Sequence, residues 1–336
     1  VNSDDMQLIR YKGKPLQSDK DYFWKVTVKD EKGNISATSE TATFSTGLFN
    51  QSEWTAKWIG TSEVYDPARG SNEMYDPWFR KNFELKQKPE RAILFVASVG
   101  YHEVYVNGQR IGDHVLAPAV TDHTKRARYI AYDIAPALNK GNNTIVLWLG
   151  TSWSIFGAYA TPDKPRAPIV VAQVDIYDSN HRKLDRVITD ESWRTYPSPN
   201  KLIGNWDFGA GGYGGEIWDA NREINGWNQP NFNDQSWQKA TVYTPKLKLS
   251  AQRVETNKLF REIQPVSIEK RSDGSYHVDM GVNFAGWTQI HVKGNSGDTV
   301  RFLFSEREQN DMTFGLHNAF VIGPAGEGTF RNRFNY

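Results

Sequence analysis

The sequence predicts an all-β protein built from tandem β-sandwiches, and three observations carry that reading. Asn107-Gly108 lies between alternating runs, with Val104 and Val106 on one strand face, Glu103 and Tyr105 on the other, and Ile111 on the return. Asn-Gly is the strongest short hairpin signal, because a type I′ turn needs positive φ at both central residues. Around it, residues 79–250 hold one strand-like run after another: FRKNFEL, AILFVAS, TIVLWLG, IVVAQVDIY and RVITD. No stretch repeats its apolar residues with the 3.6-residue period of a helix. Many short strands with turn signals between them read as a sandwich or jelly roll.

A chain of 336 residues is long enough for roughly two or three domains. Its 40 basic and 39 acidic residues are interspersed, so no basic stripe points to nucleic acid or to an anionic membrane surface. No apolar run approaches the roughly 18 residues of a membrane-spanning helix. With no cysteine, disulfides and thiolate metal sites are excluded, and cytosol and bacterial periplasm fit equally. The chain starts at Val1 without a signal peptide, so any export signal is expected to have been removed or never present. Tryptophan, present 12 times, suits both core packing and the flat C–H faces of sugar rings. For any one of them the core is the better reading.

Taken in order, residues 1–47 read as part of a fibronectin-type-III-like sandwich. Trp24, Val26 and Val28 alternate toward one face, residues 30–34 turn the chain, and Ala42 and Phe44 resume the alternation. A full sandwich needs about seven strands, so the chain is expected to begin inside a domain. Residues 48–250 read as a jelly-roll sandwich entered through LFNQSEWTAKWIG. A Gly- and Trp-rich irregular insertion occupies 204–240, the kind of stretch where binding tends to sit. Residues 251–336, with SYHVDMG, GWTQIHVKG and TVRFLFSE, read as the start of a further sandwich that the chain is expected to leave unfinished.

Chemistry-bearing patterns are few. Glu306 and Glu308, two apart on a strand, would place their Cα atoms roughly 6.5 Å apart. Side chains on one strand face project in parallel, whereas a glycosidic acid and base must flank a sugar from opposite sides, so a solvated face is expected. Residues 209–214, GAGGYG, fit G-x-G-x-x-G, but a dinucleotide site needs a strand before it and a helix after it. A loop whose glycines let backbone approach a neighbour is the better reading. The seven histidines show no metal-ligand spacing and no HExxH.

Together these residues resemble one known family, the bacterial α-L-rhamnosidases. The resemblance runs through Gly100-Tyr101, Tyr105, Asn107-Gly108, Gly112-Asp113, Pro118, Thr121-Asp122, Arg126, Tyr132-Asp133, Gly141-Asn142, Leu149-Gly150 and Trp153. Thr189-Asp190 with Ser192-Trp193 is similar to the family's TD-x-SW segment. Tyr213-Gly214-Gly215-Glu216 and Trp218-Asp219-Ala220, with Trp227, resemble its YDGE-x-YDAR region, where the final Arg is here Asn221. FSTGL at 44–48, residues 54–59, residues 279–283, Gly286-Trp287 and Glu306 complete a collinear set over nearly the whole chain.

The resemblance implies an N-terminal, non-catalytic portion of a glycoside hydrolase that, in complete form, cleaves terminal α-L-rhamnosyl linkages with inversion. The family's catalytic carboxylates lie on an (α/α)6 barrel, and no residue here matches them. The implied partners are rhamnose-containing glycans or glycosides and the chain's own downstream catalytic domain, and the implied compartment is bacterial periplasm or exterior. The alternatives are an autonomous carbohydrate-binding module, a structural spacer, or an accessory region of another glycosidase such as a β-galactosidase. As a sugar site the candidates are Trp206, Tyr213, Glu216, Trp218 and Trp227. No cofactor is expected. Calcium, which some rhamnose-binding modules of similar sequence use through residues such as Asp207, Glu216 and Asp219, is disfavoured. Ala210-Gly211-Gly212 stand where acidic or amide residues usually precede the YDGE segment.

Overall fold

The structure, a computed structural model, describes residues 3–4, 7–66, 74–204, 213–306 and 312–335. It divides into two compact units, Val1–Trp54 and Thr55–Tyr336. In the first, β1 (Asp21–Trp24) pairs antiparallel with β2 (Ala42–Ser45), and Tyr22 stacks on Phe44 at 5.3 Å. The expected turn forms: Asp30 Oδ1 accepts from the backbone N–H groups of Lys32 and Asn34, and Gly33 takes φ 86°. The expected inward burial of Trp24, Val26 and Val28 does not. They are 50%, 43% and 61% exposed, because β1 and β2 form a lone ribbon with no second sheet over it among the described residues of this unit.

The second unit opens with β3 (Trp58–Gly60), β4 (Met74–Leu85), β5 (Arg91–Val99), β6 (Tyr101–Val106) and β7 (Gln109–Ile111). It continues with β8 (Arg126–Asp133), β9 (Gly141–Gly150), β10 (Ile169–Tyr177), β11 (Lys183–Ile188), β12 (Arg194–Ile203) and β13 (Gly215–Asp219). Short strands follow: β14 (Gln238–Lys239), β15 (Thr241–Tyr243), β16 (Lys248–Ala251), β17 (Ser267–Lys270) and β18 (Tyr276–Asp279). The last are β19 (Gln289–Lys293), β20 (Thr299–Leu303), β21 (His317–Val321) and β22 (Glu327–Arg331). One sheet runs β15-β3-β10-β5-β8-β16 with β11 beside β10; the other runs β20-β21-β13-β12-β4-β9-β6-β7 with β14 beside β12. Only short 3-10 turns accompany the strands among the described residues, so the all-β reading holds.

The two sheets share one core, as a sandwich requires. Leu94 and Val96 of β5, Ile130 and Tyr132 of β8 and Val170, Ala172 and Val174 of β10 meet Phe79, Val104, Val106, Ile145, Leu147 and Leu149 of the other sheet. The intervening residues of β4, β6 and β9, which are Trp78, Tyr105, Val146 and Trp148, lie in a separate cluster and are also buried. That double burial explains why TIVLWLG reads as a continuous apolar run rather than an alternation.

The hairpin is the type the sequence specifies. Asn107 and Gly108 take φ 50° and 87° between the Val106↔Gln109 pair. The Asn107 amide does more than tolerate the left-handed region. Its Nδ2 donates to the Ala137 carbonyl and to Asn143 Oδ1, and its Oδ1 accepts from the Thr144 N–H, each at 2.8 Å. Asn107→Ala is therefore expected to destabilise this unit by roughly 2–4 kcal/mol, combining lost bonds to buried groups with a Cβ in the left-handed region. Urea denaturation followed by Trp fluorescence measures it, and an unchanged midpoint would refute the assignment.

Candidate functional site

The outer face of the nine-stranded sheet carries the densest polar and aromatic chemistry. Strand alternation sets it up. Phe79 points into the sandwich, so Trp78 and Arg80 point out, and by the same rule Glu103 and Tyr105 of β6 and Trp148 of β9 point out beside them. Residues 220–237 lie over this face. Trp227 stacks on Trp78 at 4.3 Å and 7°, Trp237 stacks on Trp78 at 5.9 Å and 13°, and Trp227 meets Trp148 edge-on at 5.4 Å. Each such pair adds roughly 0.5–1.5 kcal/mol beyond its burial.

Arg80 holds that covering segment in place. Its side chain is fully buried. Nε donates to Asp234 Oδ2 at 2.9 Å, Nη1 to the Trp227 carbonyl at 3.1 Å, and Nη2 to the Gln229 carbonyl at 2.7 Å and Asn82 Oδ1 at 2.9 Å. Burial pulls its pKa below the ordinary arginine value, and the Asp234 carboxylate pushes it back up.

A second network begins at Glu216 on β13. Oε1 accepts from the Arg333 N–H at 2.5 Å; Oε2 accepts from the Phe334 N–H at 3.1 Å and from Asn200 Nδ2 at 2.8 Å. The same Asn200 Nδ2 donates to Asp76 Oδ2 at 2.7 Å, and Asp76 Oδ1 accepts from the Thr151 N–H at 2.6 Å. Asp76, Asn200 and Glu216 are all buried. Burial pushes Asp76 up to about 7, against its N–H donors, and burial likewise raises Glu216. Arg333 then lies 4.1 Å from the Trp148 ring and donates through Nη1 to Glu103 Oε2 at 2.6 Å, while Arg110 pairs with Glu103 Oε1 at 3.0 Å. Two glycines permit the close approaches. A Cβ on Gly150 would collide with the Phe334 ring, and one on Gly215 with the His317 carbonyl of β21.

The residues expected to bind sugar are distributed as follows. Trp206 and Asp207 lie outside the described residues. Tyr213 is half-buried, with its N–H on the Phe314 carbonyl and its ring edge-on to Phe314 at 5.6 Å. Trp218 donates through Nε1 to Glu223 at 2.7 Å and lies 5.9 Å from Trp148; Trp227 belongs to the stack on Trp78. Glu216 directs both oxygens at N–H donors, and Asp219 Oδ1 accepts from the Asn221 N–H and Nδ2. Among the described residues no group of three or more His, Asp or Glu is placed to hold a metal ion. Glu306 is exposed and Glu308 lies outside the described residues. Sequence reasoning missed Arg80, Asp76, Glu103, Asn200 and Arg333. The one signal for Arg80 was its place two residues after Trp78, on the same strand face.

What these groups do to one another is mutual: rings stack on rings, and each carboxylate of the Glu216 network accepts from fixed N–H donors. That is the chemistry of an accessory β-sandwich, in which the outer face of one sheet is sealed by its own chain. Three family descriptions match consecutive stretches. "Rha78A-like, N-terminal immunoglobulin domain" matches residues 1–50, "Alpha-L-rhamnosidase N-terminal domain" matches 87–261, and "Bacterial alpha-L-rhamnosidase concanavalin-like domain" matches 269–335. The chain belongs to the bacterial alpha-L-rhamnosidase family, as its N-terminal region. An alpha-L-rhamnosidase of Formosa agariphila is 30% identical over 337 residues, covering 91% of this chain and 34% of that protein. The structure of an alpha-L-rhamnosidase from Dictyoglumus thermophilum superposes with TM-score 0.84 at 33% identity, over 97% of this chain and 38% of that one. A Streptomyces avermitilis alpha-L-rhamnosidase solved with L-rhamnose shares the fold, with TM-score 0.85 at 18% identity over 99% of this chain and 49% of that one. The chain spans about a third of the length of the curated relatives it matches.

Proposed function

We propose that this chain is the non-catalytic N-terminal region of an enzyme that hydrolyses terminal α-L-rhamnosyl linkages with inversion, and that its sandwiches support a downstream catalytic domain. The observation that carries the reading is the collinear match of three rhamnosidase domain descriptions across residues 1–335. The chemistry agrees with a supporting role. An inverting hydrolase needs a carboxylic acid on the leaving oxygen and a carboxylate that activates water from the opposite side. Asp76 and Glu216, the buried carboxylates of the site, instead share one amide, that of Asn200. Neither can face a sugar while its oxygens accept from backbone N–H groups.

The test compares two proteins on an aryl α-L-rhamnoside. Residues 1–336 alone are expected to give no release above the buffer rate. The same chain extended through its downstream helical domain is expected to turn over and to release β-L-rhamnose first, as followed by NMR. Hydrolysis by the purified 336-residue chain would overturn the assignment of its carboxylates, and an inactive extended protein would overturn the proposed activity.

A further inference from the structure

A second cluster, in the Thr55–Tyr336 unit but absent from the networks above, lies under the 157–163 loop. Lys164 and His123 are both buried, 4% and 2% exposed, yet Lys164 Nζ and His123 Nδ1 have no hydrogen-bond partner. Ser154 Oγ, in the turn that leads into the same loop, is buried and equally without one. A buried ammonium is ordinarily paired, because leaving it unpaired costs several kcal/mol.

The neighbouring acids do not supply the missing charge. Asp163 accepts from the Lys246 N–H at 2.8 Å through Oδ2. Asp122 is taken by the Thr124 N–H and hydroxyl and by Lys125 Nζ at 3.0 Å. The nearby Arg166 is spent on the Ile155 carbonyl and the Tyr65 ring, so it adds positive charge and removes none. Burial, the largest cause, pulls the Lys164 amine down to about 8; His123 is held near 4 by burial and then by Lys164 itself, which places the two cationic groups within each other's field. Over them lies a half-exposed aromatic group. Tyr159 meets the His123 ring edge-on at 5.4 Å, and Phe156 and Trp153 sit 5.3 Å and 6.3 Å from Tyr159.

We infer that Lys164 and His123 form an anion site beneath the 157–163 loop, and that its ligand is a carboxylate. A carboxylate accepts from Nζ and from an imidazole N–H at once and supplies the one negative charge that the cluster lacks. Carboxylates reach such a site either as a simple acid or as part of a sugar acid, whose ring would lie against Tyr159. This inference is independent of the catalytic reading above, since it concerns residues that no rhamnosidase chemistry invokes.

The experiment titrates the 336-residue protein with sodium D-glucuronate, sodium acetate and uncharged methyl glucoside at constant ionic strength. It follows the thermal midpoint, together with the ε-methylene NMR resonance of Lys164. Glucuronate is expected to raise the midpoint saturably and to shift the Lys164 resonance with the same half-point, while methyl glucoside does neither. Lys164→Met is expected to fold, since it removes a buried unpaired charge, and to weaken the apparent affinity by about 10- to 100-fold, the worth of one charge-assisted bond. A response to acetate as well assigns the site to simple carboxylates; a response to glucuronate alone assigns it to sugar acids. No resonance shift at 50 mM of either salt, on the order of the weakest affinity such a bond would support, overturns the inference. So does an equal midpoint response in Lys164→Met.

Discussion

Arg80→Met is expected to destabilise the Thr55–Tyr336 unit by roughly 3–5 kcal/mol, the cost of breaking a buried ion pair by removing one partner. Methionine nearly matches the arginine stem in length, so little of this is packing. The loss comes from what Arg80 leaves behind. Asp234, only 17% exposed, loses its cation, and the carbonyls of Trp227 and Gln229 lose their donor. Those groups must then drag water into the Trp78–Trp227 stack or release the covering segment from the sheet. Arg80→Lys should recover less than half, because one ammonium cannot serve acceptors that a planar fork reaches in four directions. The midpoint of urea denaturation gives the magnitude, and limited proteolysis within residues 220–237 gives the mechanism. Both variants should be cut there well before wild type. A variant within 1 kcal/mol of wild type would show that Arg80 does not hold the segment.

How far all this was legible depends on the separation of the partners in the chain. Asn107-Gly108 announced its hairpin because a turn is decided by the φ of two adjacent residues, and the flanking alternation then fixed which faces go inward. The sandwich followed from the same local signals repeated from β4 to β12. Arg80 and Asp234 are 154 residues apart, Glu216 and Arg333 117, and Glu103 and Arg333 230. Nothing local distinguishes such a charge from a solvated one. A base rate that places charges on the surface reads Arg80 wrongly for a sound reason. The tryptophans mislead in the other direction. Trp218 and Trp227 stand in an irregular Gly-rich stretch that looks like a sugar platform, and only the fold reveals that Trp78 and Trp148 stack against them from other strands. Trp24, Val26 and Val28 alternate as a buried strand does, but alternation says only that two faces differ, not that a second sheet covers one.

Glu216 offers the second large effect, with a sign that can be worked out. Glu216→Leu leaves the Arg333 and Phe334 N–H groups and the Asn200 amide without an acceptor in a buried site. At about 1–3 kcal/mol for each unsatisfied group, the loss should be roughly 3–6 kcal/mol at pH 7. Even the isosteric Glu216→Gln should cost about 2 kcal/mol, since one of its two ends is an NH2 facing an N–H donor. The pH dependence separates this network from simple packing. Asp76 is raised to about 7, first by burial and further by the Glu216 charge. Its folded pKa thus lies above the unfolded value of about 3.9. The folded state binds a proton that the unfolded state lacks, so this contribution is full below about pH 4 and is lost as pH rises through about 7, at up to about 1.4 kcal/mol per pH unit. Glu216→Gln removes the neighbouring negative charge, lets Asp76 ionise at lower pH, and should move the end of that loss downward. Stability curves from pH 4 to 8 for wild type and Glu216→Gln test it. Parallel curves would show that Asp76 and Glu216 do not titrate as a coupled pair. Converging curves above pH 7 would show that the lost hydrogen bonds of the glutamine variant are offset by relief of two like charges held on one amide.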